Sequence, residues 1–305
     1  MAVDTALANP TTARPDAAIA RPRFRPGRLA AVVVLVAATV LVLVWAATNP
    51  RFEWGVVGDL MFDPSVMAGL GMTLLLTVVC MALGTALGTA AAAGQLSDFG
   101  PVRWSCQIYV GLLRGVPPLV QLIFWFNLAY LVPRLSIGLP GADPVASWSV
   151  NELITPLTAA IIGLSLHESA YMAEIIRAGI MSVDSGQRDA ARAMGYSRHQ
   201  TFWKIVVPQA MRVIVPPSGS QFIALLKGTS LVSVITLTDL LYSVQIIYGR
   251  TYQVVPLLLV AVIWYLIVVT LLTLVQRRIE RRLGRGYDRT TSARVRARSL
   301  EGDPA

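Results

Sequence analysis

The chain has 305 residues, 55% hydrophobic and 14% charged, with 26 Lys and Arg against 17 Asp and Glu. Soluble domains carry roughly 25% charged residues, so the deficit excludes an ordinary soluble domain and points to a chain that crosses a membrane repeatedly. The formal charge of +9 is gathered in the tails and one central loop, which argues against nucleic acid as a partner and for orientation signals and lipid contact.

A spanning helix needs about 20 mostly apolar residues. Six segments meet that need: 29–48, 67–95, 115–133, 155–178, 229–247 and 253–275. Residues 1–28 and 283–305 are then basic tails flanking an anchor at 29–48 and a transmembrane domain at 66–282. The first segment follows Arg21, Arg23, Arg25 and Arg28. It is expected to be a retained anchor, because its apolar run exceeds the roughly 7–15 residues of a signal-peptide core. Cleavage after Ala46 and Ala47 is the alternative. The second segment holds Gly84, Gly88 and Ala90 to Ala93, small residues that let helices approach closely. The third carries Gln121, Trp125 and Asn127, facing either a path or a neighbouring helix. The fourth places His167 and Glu168 deep, and Glu174 near its inner end. Residues 209–227, interrupted by Pro216, Pro217 and Gly219, form a weaker apolar segment. It is expected to lie near the cytoplasmic surface and lead into the fifth span, where Asp239 sits. Ionisable residues at such depth default to functional hypotheses. Glu168 and Asp239 therefore either form a buried ion pair or hydrogen-bond helices together, or they line a hydrated path. The cysteines, Cys80 and Cys106, read as packing residues, and no clustered spacing suggests a metal.

Charge placement orients the map. Residues 1–28, 97–105, 177–212 and 276–305 hold 21 of the 26 Lys and Arg, whereas the outer loops hold Arg51, Arg134 and Arg250. The positive-inside rule puts both termini, and the loop 184–208, in the cytoplasm. The outer loops 49–66 and 134–153, with Trp54 and Trp148, either meet an external protein or rest at the interface.

The inner loop has internal order. Asp184-Ser-Gly-Gln187 has the spacing of a capping box. Ala190, Ala191, Ala193 and Met194 favour helix, and Gly195 is placed to end it in the left-handed conformation. Ser197-Arg-His-Gln200 is a second box, opening a short helix with Phe202, Trp203 and Ile205 that is expected to end at Pro208. Two short helices with a glycine corner suit a docking partner better than a plain connection. An amphipathic loop lying on the membrane is the other reading.

At these residues the chain resembles the EAA loop of ABC-importer permeases: Asp189-Ala-Ala191, then Gly195, then Ile205 and Pro208. Asp189 stands for the usual Glu and Val207 for the usual Leu. Further stretches resemble the polar amino-acid uptake subfamily, of histidine, glutamine, glutamate and arginine type. They are Arg114-Gly-Val-Pro-Pro-Leu-Val-Gln121, Glu168-Ser-Ala-Tyr-Met-Ala-Glu174, Arg177-Ala-Gly179, Pro208-Gln-Ala210 and Leu226-Lys-Gly-Thr-Ser-Leu231. The resemblance covers about residues 66–282. Ser220 and Gly228 depart from that subfamily's usual Asn and Asp or Asn, near the entry to the fifth span.

The resemblance implies an all-α, polytopic, type I ABC-importer fold of about six spans, set in a bacterial inner membrane. It implies a permease that carries polar amino acids inward by alternating access. It makes the loop a coupling helix, with Asp189, Ala190, Ala191, Arg192, Met194 and Gly195 facing cytoplasmic ATPase subunits that bind the ATP and magnesium. A second permease copy or homologue and an extracytoplasmic solute-binding protein are the other implied partners. The chain has no Gly-x-x-x-x-Gly-Lys-[Ser/Thr] phosphate loop of its own. The residues themselves offer His167, Glu168, Asp239, Gln121 and Asn127 as a candidate substrate path. A gradient-driven secondary transporter or channel is the rival reading, and it leaves the ordered loop unexplained. A membrane enzyme lacks support, since no nucleophile–base set or metal cluster is seen; of the two histidines, His199 lies in the loop.

Overall fold

The computed structural model describes residues 26–137 and 146–284. The expected basic tails lie outside them, apart from their helical ends at 26–28 and 283–284. Residues up to Phe52 and residues from Glu53 onward form two compact units. The first holds α1 (Pro26–Thr48) and a 3-10 turn at Pro50–Phe52, with Trp45 edge-on to Phe52 at 5.6 Å. From Leu29 to Thr48 no charge interrupts α1. A helix apolar on every side suits lipid rather than water.

The second unit begins with α2 (Trp54–Leu60) and α3 (Pro64–Gln95), followed by α4 (Gly100–Gly115), α5 (Pro118–Phe126) and α6 (Leu128–Leu131). A two-stranded antiparallel hairpin, β1 (Arg134–Ile137) and β2 (Ala146–Ser149), pairs Arg134 with Ser149 and Ile137 with Ala146. This is a small addition to the expected all-α fold, in the outer loop that holds Trp148. Then come α7 (Val150–Leu153), α8 (Pro156–Met181), α9 (Ser185–Ala193), α10 (Arg198–Thr201), α11 (Val207–Gly228), α12 (Leu240–Thr251) and α13 (Val254–Gly284).

Capping explains where the long helices start. The Asp63 carboxylate accepts from Ser65 N–H at 2.8 Å at the head of α3. Thr155 accepts from Thr158 N–H at 3.2 Å at the head of α8. In both, and in α5, a proline opens the helix, where its missing N–H costs nothing.

Two expected spans change shape. The segment 115–133 is the second limb of a bent pair: α4 and α5 meet at 100° across Val116 and Pro117. Residues 100–105, expected as loop, already belong to α4. The segment 229–247 is not one helix. It runs as a 3-10 stretch (Thr229–Ile235), breaks at Thr236, and resumes at α12. Thr236 sits at φ +61°, a conformation no helix can continue through. The weaker segment 209–227, expected as a helix near the cytoplasmic surface, is a helix, α11, and it packs on α8, α3 and α13. Among the described residues three helices are long and apolar enough to cross a bilayer, or five if each of two bent pairs is one span. Helix α8, ~39 Å long at 1.5 Å per residue, is left out of that count by the polar residues at its middle.

Helix α3 is the spine of this unit. Three apolar clusters follow it: Val66 and Leu70 with Leu240, Val244 and Leu257; Leu76 and Cys80 with Leu122, Leu164 and Val232; Ala91 and Ala92 with Met172, Ala173 and Ile214. The approach to α8 is tightest at two glycines. A Cβ at Gly84 would lie 2.8 Å from Glu168 Cβ, and one at Gly88 would lie 2.7 Å from the Ser169 carbonyl oxygen and 2.9 Å from Ala173 N. Cys106 fills the equivalent space beside Gly94 on α4, so both cysteines serve packing, as expected. Gly88→Ala must push two backbones apart and is expected to cost about 1–3 kcal/mol. Gly71→Ala, on the same helix but with open space around it, is expected to be neutral or stabilising. Paired thermal melts in detergent check the contrast.

Candidate functional site

The inner loop is built by its caps. The Asp184 carboxylate accepts from Gly186 N–H at 2.6 Å and starts α9. The reciprocal bond from Gln187 that a full box requires is not part of this cap. At the other end Gly195 N–H donates to Arg192 O at 2.9 Å and Tyr196 N–H to Ala191 O at 3.1 Å. That is a Schellman pair around a left-handed glycine, and Gly195 has φ +82° as its position predicts. Ser197 and Gln200 then form the complete second box, each side chain bonded to the other's backbone.

Pro208 does not end the second helix. Residues Phe202–Val206 form a π turn, and the chain continues as helix through α11. The wider turn gives the proline ring room and absorbs its missing N–H, as insertions of this kind do. Arg188 fixes the loop to the end of α8, donating from Nη2 to Ile180 O at 2.8 Å and Val183 O at 3.2 Å.

The exposed face of α9 is small and polar. Asp189 and Arg192 hold a loose ion pair at 3.7 Å with side chains 70% and 60% exposed. Ala190 and Gly195 are exposed and Met194 is 78% exposed. Ala191 is different: it is buried, so its small size serves the packing of α9 on its own chain. Nothing lies within 4 Å of a Cβ built at Gly195.

The second group of expected residues divides. Gln121 is buried at the α4–α5 elbow and donates from Nε2 to Leu113 O at 2.7 Å and Val116 O at 2.9 Å. Leu113 O would take its helical bond from residue 117, but Pro117 has no N–H, so the Gln121 amide replaces it. His167 Nδ1 lies 3.3 Å from the same Nε2. Since both amide hydrogens are already given to carbonyls, this is a contact rather than a third bond. Glu168 is buried where α8 meets α3 and α11, and one oxygen accepts from Gln221 Nε2 at 3.2 Å. Its Oε1, Gln121 Oε1 and Ser165 Oγ are buried with no hydrogen-bond partner among the described residues. Arg114 stacks on Tyr171 at 5.4 Å from the ring centre, and Tyr109 shares a 2.6 Å hydrogen bond with Ser169.

Glu168 and Asp239 do not pair. Asp239 lies at the helix break and caps α12, accepting from Tyr242 N–H at 2.8 Å, with Tyr265 O–H at 3.5 Å. Asn127 is exposed at the end of α5 and donates to Ile123 O of its own helix at 2.8 Å. Neither joins the Gln121–His167–Glu168 neighbourhood. Gln221 does, and it escaped notice because its segment reads as surface helix. A glutamine four residues before a Leu-Leu-Lys end was its only signal.

A helical membrane unit with a doubly capped, exposed loop helix and buried polar side chains on α5, α8 and α11 defines a polytopic membrane permease. The chain belongs to the family of binding-protein-dependent transport system inner membrane components, whose model matches residues 84–285. It is 35% identical over 297 residues to the arginine transport system permease protein ArgU of Corynebacterium glutamicum, covering 97% of this chain and 92% of that one. It is 36% identical over 225 residues to the L-cystine transport system permease protein TcyB of Bacillus subtilis, covering 73% of this chain and 88% of that one. The crystal structure of an amino acid ABC transporter with histidines contains a similar chain, 32% identical, with a TM-score of 0.62 over 74% of this chain and 97% of that one. A chain of the MetNI methionine ABC transporter shares the fold at 19% identity, with a TM-score of 0.57 over 72% of this chain and 96% of that one.

If Asp239 is a cap, Asp239→Ala is expected to lower stability by about 0.5–2 kcal/mol while Asp239→Asn loses less. Uptake per folded molecule should then stay near wild type. Parallel melts and transport assays decide between a cap and a substrate contact.

Proposed function

We propose that this permease carries polar amino acids into the cytoplasm through helices that alternate between outward and inward access. ATPase subunits docked on α9 drive the change, and they, rather than this chain, bind ATP and magnesium. A solute-binding protein delivers the amino acid from outside, and a second permease copy or homologue completes the path. The basic tails and the loop lie in the cytoplasm, as the charge bias supports. The observation that carries this reading is the face formed by Asp189, Ala190, Arg192, Met194 and Gly195. It is ordered by caps at both ends, small in profile, and open to solvent in this chain. Similarity to arginine and cystine permeases supports the substrate class.

Nucleotide can shift the two states only by its differential affinity for them. The coupling face must therefore meet the ATPase differently in each state. Pull-down of the full chain from detergent is expected to bring an ATPase with it. Gly195→Asp combines a left-handed backbone penalty with bulk and charge on the face, and should lose that partner. Retention by the variant, or no ATPase with wild type, would sink the assignment.

Glu168 is the candidate contact for a substrate amine, because Oε1 is unmatched among the described residues. Glu168→Gln is expected to weaken a cationic amino acid's apparent affinity by about tenfold, the worth of one charge-assisted hydrogen bond. Substrate-stimulated ATPase activity of the reconstituted complex measures it. An unchanged affinity would leave Glu168 as a packing residue.

A further inference from the structure

Beside the exposed face of α9 lies a cavity of about 300 Å³, of whose lining the transport reading uses only Arg192. Three chain segments wall it. Arg188 and Arg192 stand on α9, Arg198 and Thr201 on α10, and Asp98 on the turn between α3 and α4. Phe202 of the π turn closes one side.

Its electrostatics are lopsided, with three guanidinium groups against one carboxylate. Arg188 commits Nη2 to the end of α8, but its Nε is buried with no hydrogen-bond partner among the described residues. A buried donor left unmade costs more than a made bond returns. Arg192 is held only by the loose pair with Asp189. Arg198 is exposed and has no ion pair among the described residues. The Thr201 hydroxyl is already given to Ser197 O at 3.0 Å, so the free donors are all guanidinium.

Arginines from α9 and α10 lining one cavity suit an oxyanion with several acceptor oxygens, and arginine is the residue that recognises phosphate in this way. Asp98 opposes a dianion and so favours a singly charged phosphodiester. Location agrees: Phe202 and Trp203 are both exposed beside the cavity and stack edge-on at 5.4 Å, the kind of side chain that settles at a membrane–water interface. We propose that this cavity binds a phosphate group, brought by an anionic phospholipid headgroup or as inorganic phosphate. Its occupation ties α9 and α10 together through one shared anion.

Native mass spectrometry of the full chain in detergent tests this. Phosphatidylglycerol is titrated in one arm, diacylglycerol as a phosphate-free comparison in a second, and inorganic phosphate in a third. Phosphatidylglycerol is expected to bind at least about tenfold tighter than diacylglycerol, as charge-assisted bonds to phosphate require. Arg188→Gln with Arg198→Gln should remove that advantage. Arg198→Gln alone, at an exposed residue with no structural bond to lose, should remove part of it and guards against misfolding as the cause. Arg281→Gln with Arg282→Gln, on α13, should leave it intact. Inorganic phosphate binding as tightly as the lipid, with the same arginine dependence, would support the site and name free phosphate as its source. The proposal is overturned if the lipid has no advantage and phosphate does not bind. It is equally overturned if the Arg188 and Arg198 variants bind like wild type, or if the α13 variant loses as much.

Discussion

The rest of this structure depends on how close α3 and α8 come to one another. At Gly84 and Gly88 the two backbones meet with no room for a methyl group between them. In a bilayer there is little hydrophobic gain in bringing helices together, so association rests on packing and on interhelical hydrogen bonds. Helix α3 supplies the packing along its whole length, and each of the three apolar clusters includes some of its residues. Its third close approach, at Gly69, is to the Asp239 carbonyl oxygen. Thus α3 positions both α8, which carries the central polar residues, and the start of α12.

Polar residues placed among these apolar helices are used first to repair backbone. The Gln121 amide takes over a carbonyl that Pro117 cannot serve. Asp239 ends the break that Thr236 begins. Each is a side chain standing in for a lost main-chain bond, and in low dielectric such replacements are strongly favoured. This leaves Glu168, with Gln221 on one oxygen and no partner on the other among the described residues, as the buried acid whose bonding is incomplete. Gln221 thus bonds Glu168 directly, whereas Asp239 and Asn127 bond within their own segments or to Tyr265.

Much of this was readable from residues with a local signature. Apolar runs at 67–95 and 155–178 placed α3 and α8, and Gly195 announced its left-handed turn because few other residues tolerate one. Ser197 and Gln200 announced a cap for the same reason, since both partners lie within three residues. What stayed hidden was set at long range. Pro208 reads as a terminator, and only the π turn ahead of it lets the helix pass. Residues 229–247 have the hydropathy of a span, but the left-handed Thr236 interrupts them, and a threonine gives no sign that it will adopt such a backbone. Glu168 and Asp239 looked like a pair because both are deep acids. Their separation follows from which helices they belong to. Ala191 looked like part of an outward face, and one step around α9 turns it inward.

The unbroken helix from Arg198 to Gly228 has a mechanical consequence. A stretch that passes through Pro208, Pro216 and Pro217 without ending behaves as a single lever, with the loop at one end and Gln221 well along it. From Phe202 to Gln221 is ~29 Å at 1.5 Å per residue. A tilt of only ~5° about the loop end then carries Gln221 sideways by ~2.5 Å, close to the whole span of its hydrogen bond with Glu168. Small rotations at the surface are thus geared up into the making or breaking of a contact at the centre, with no need for any helix to unwind.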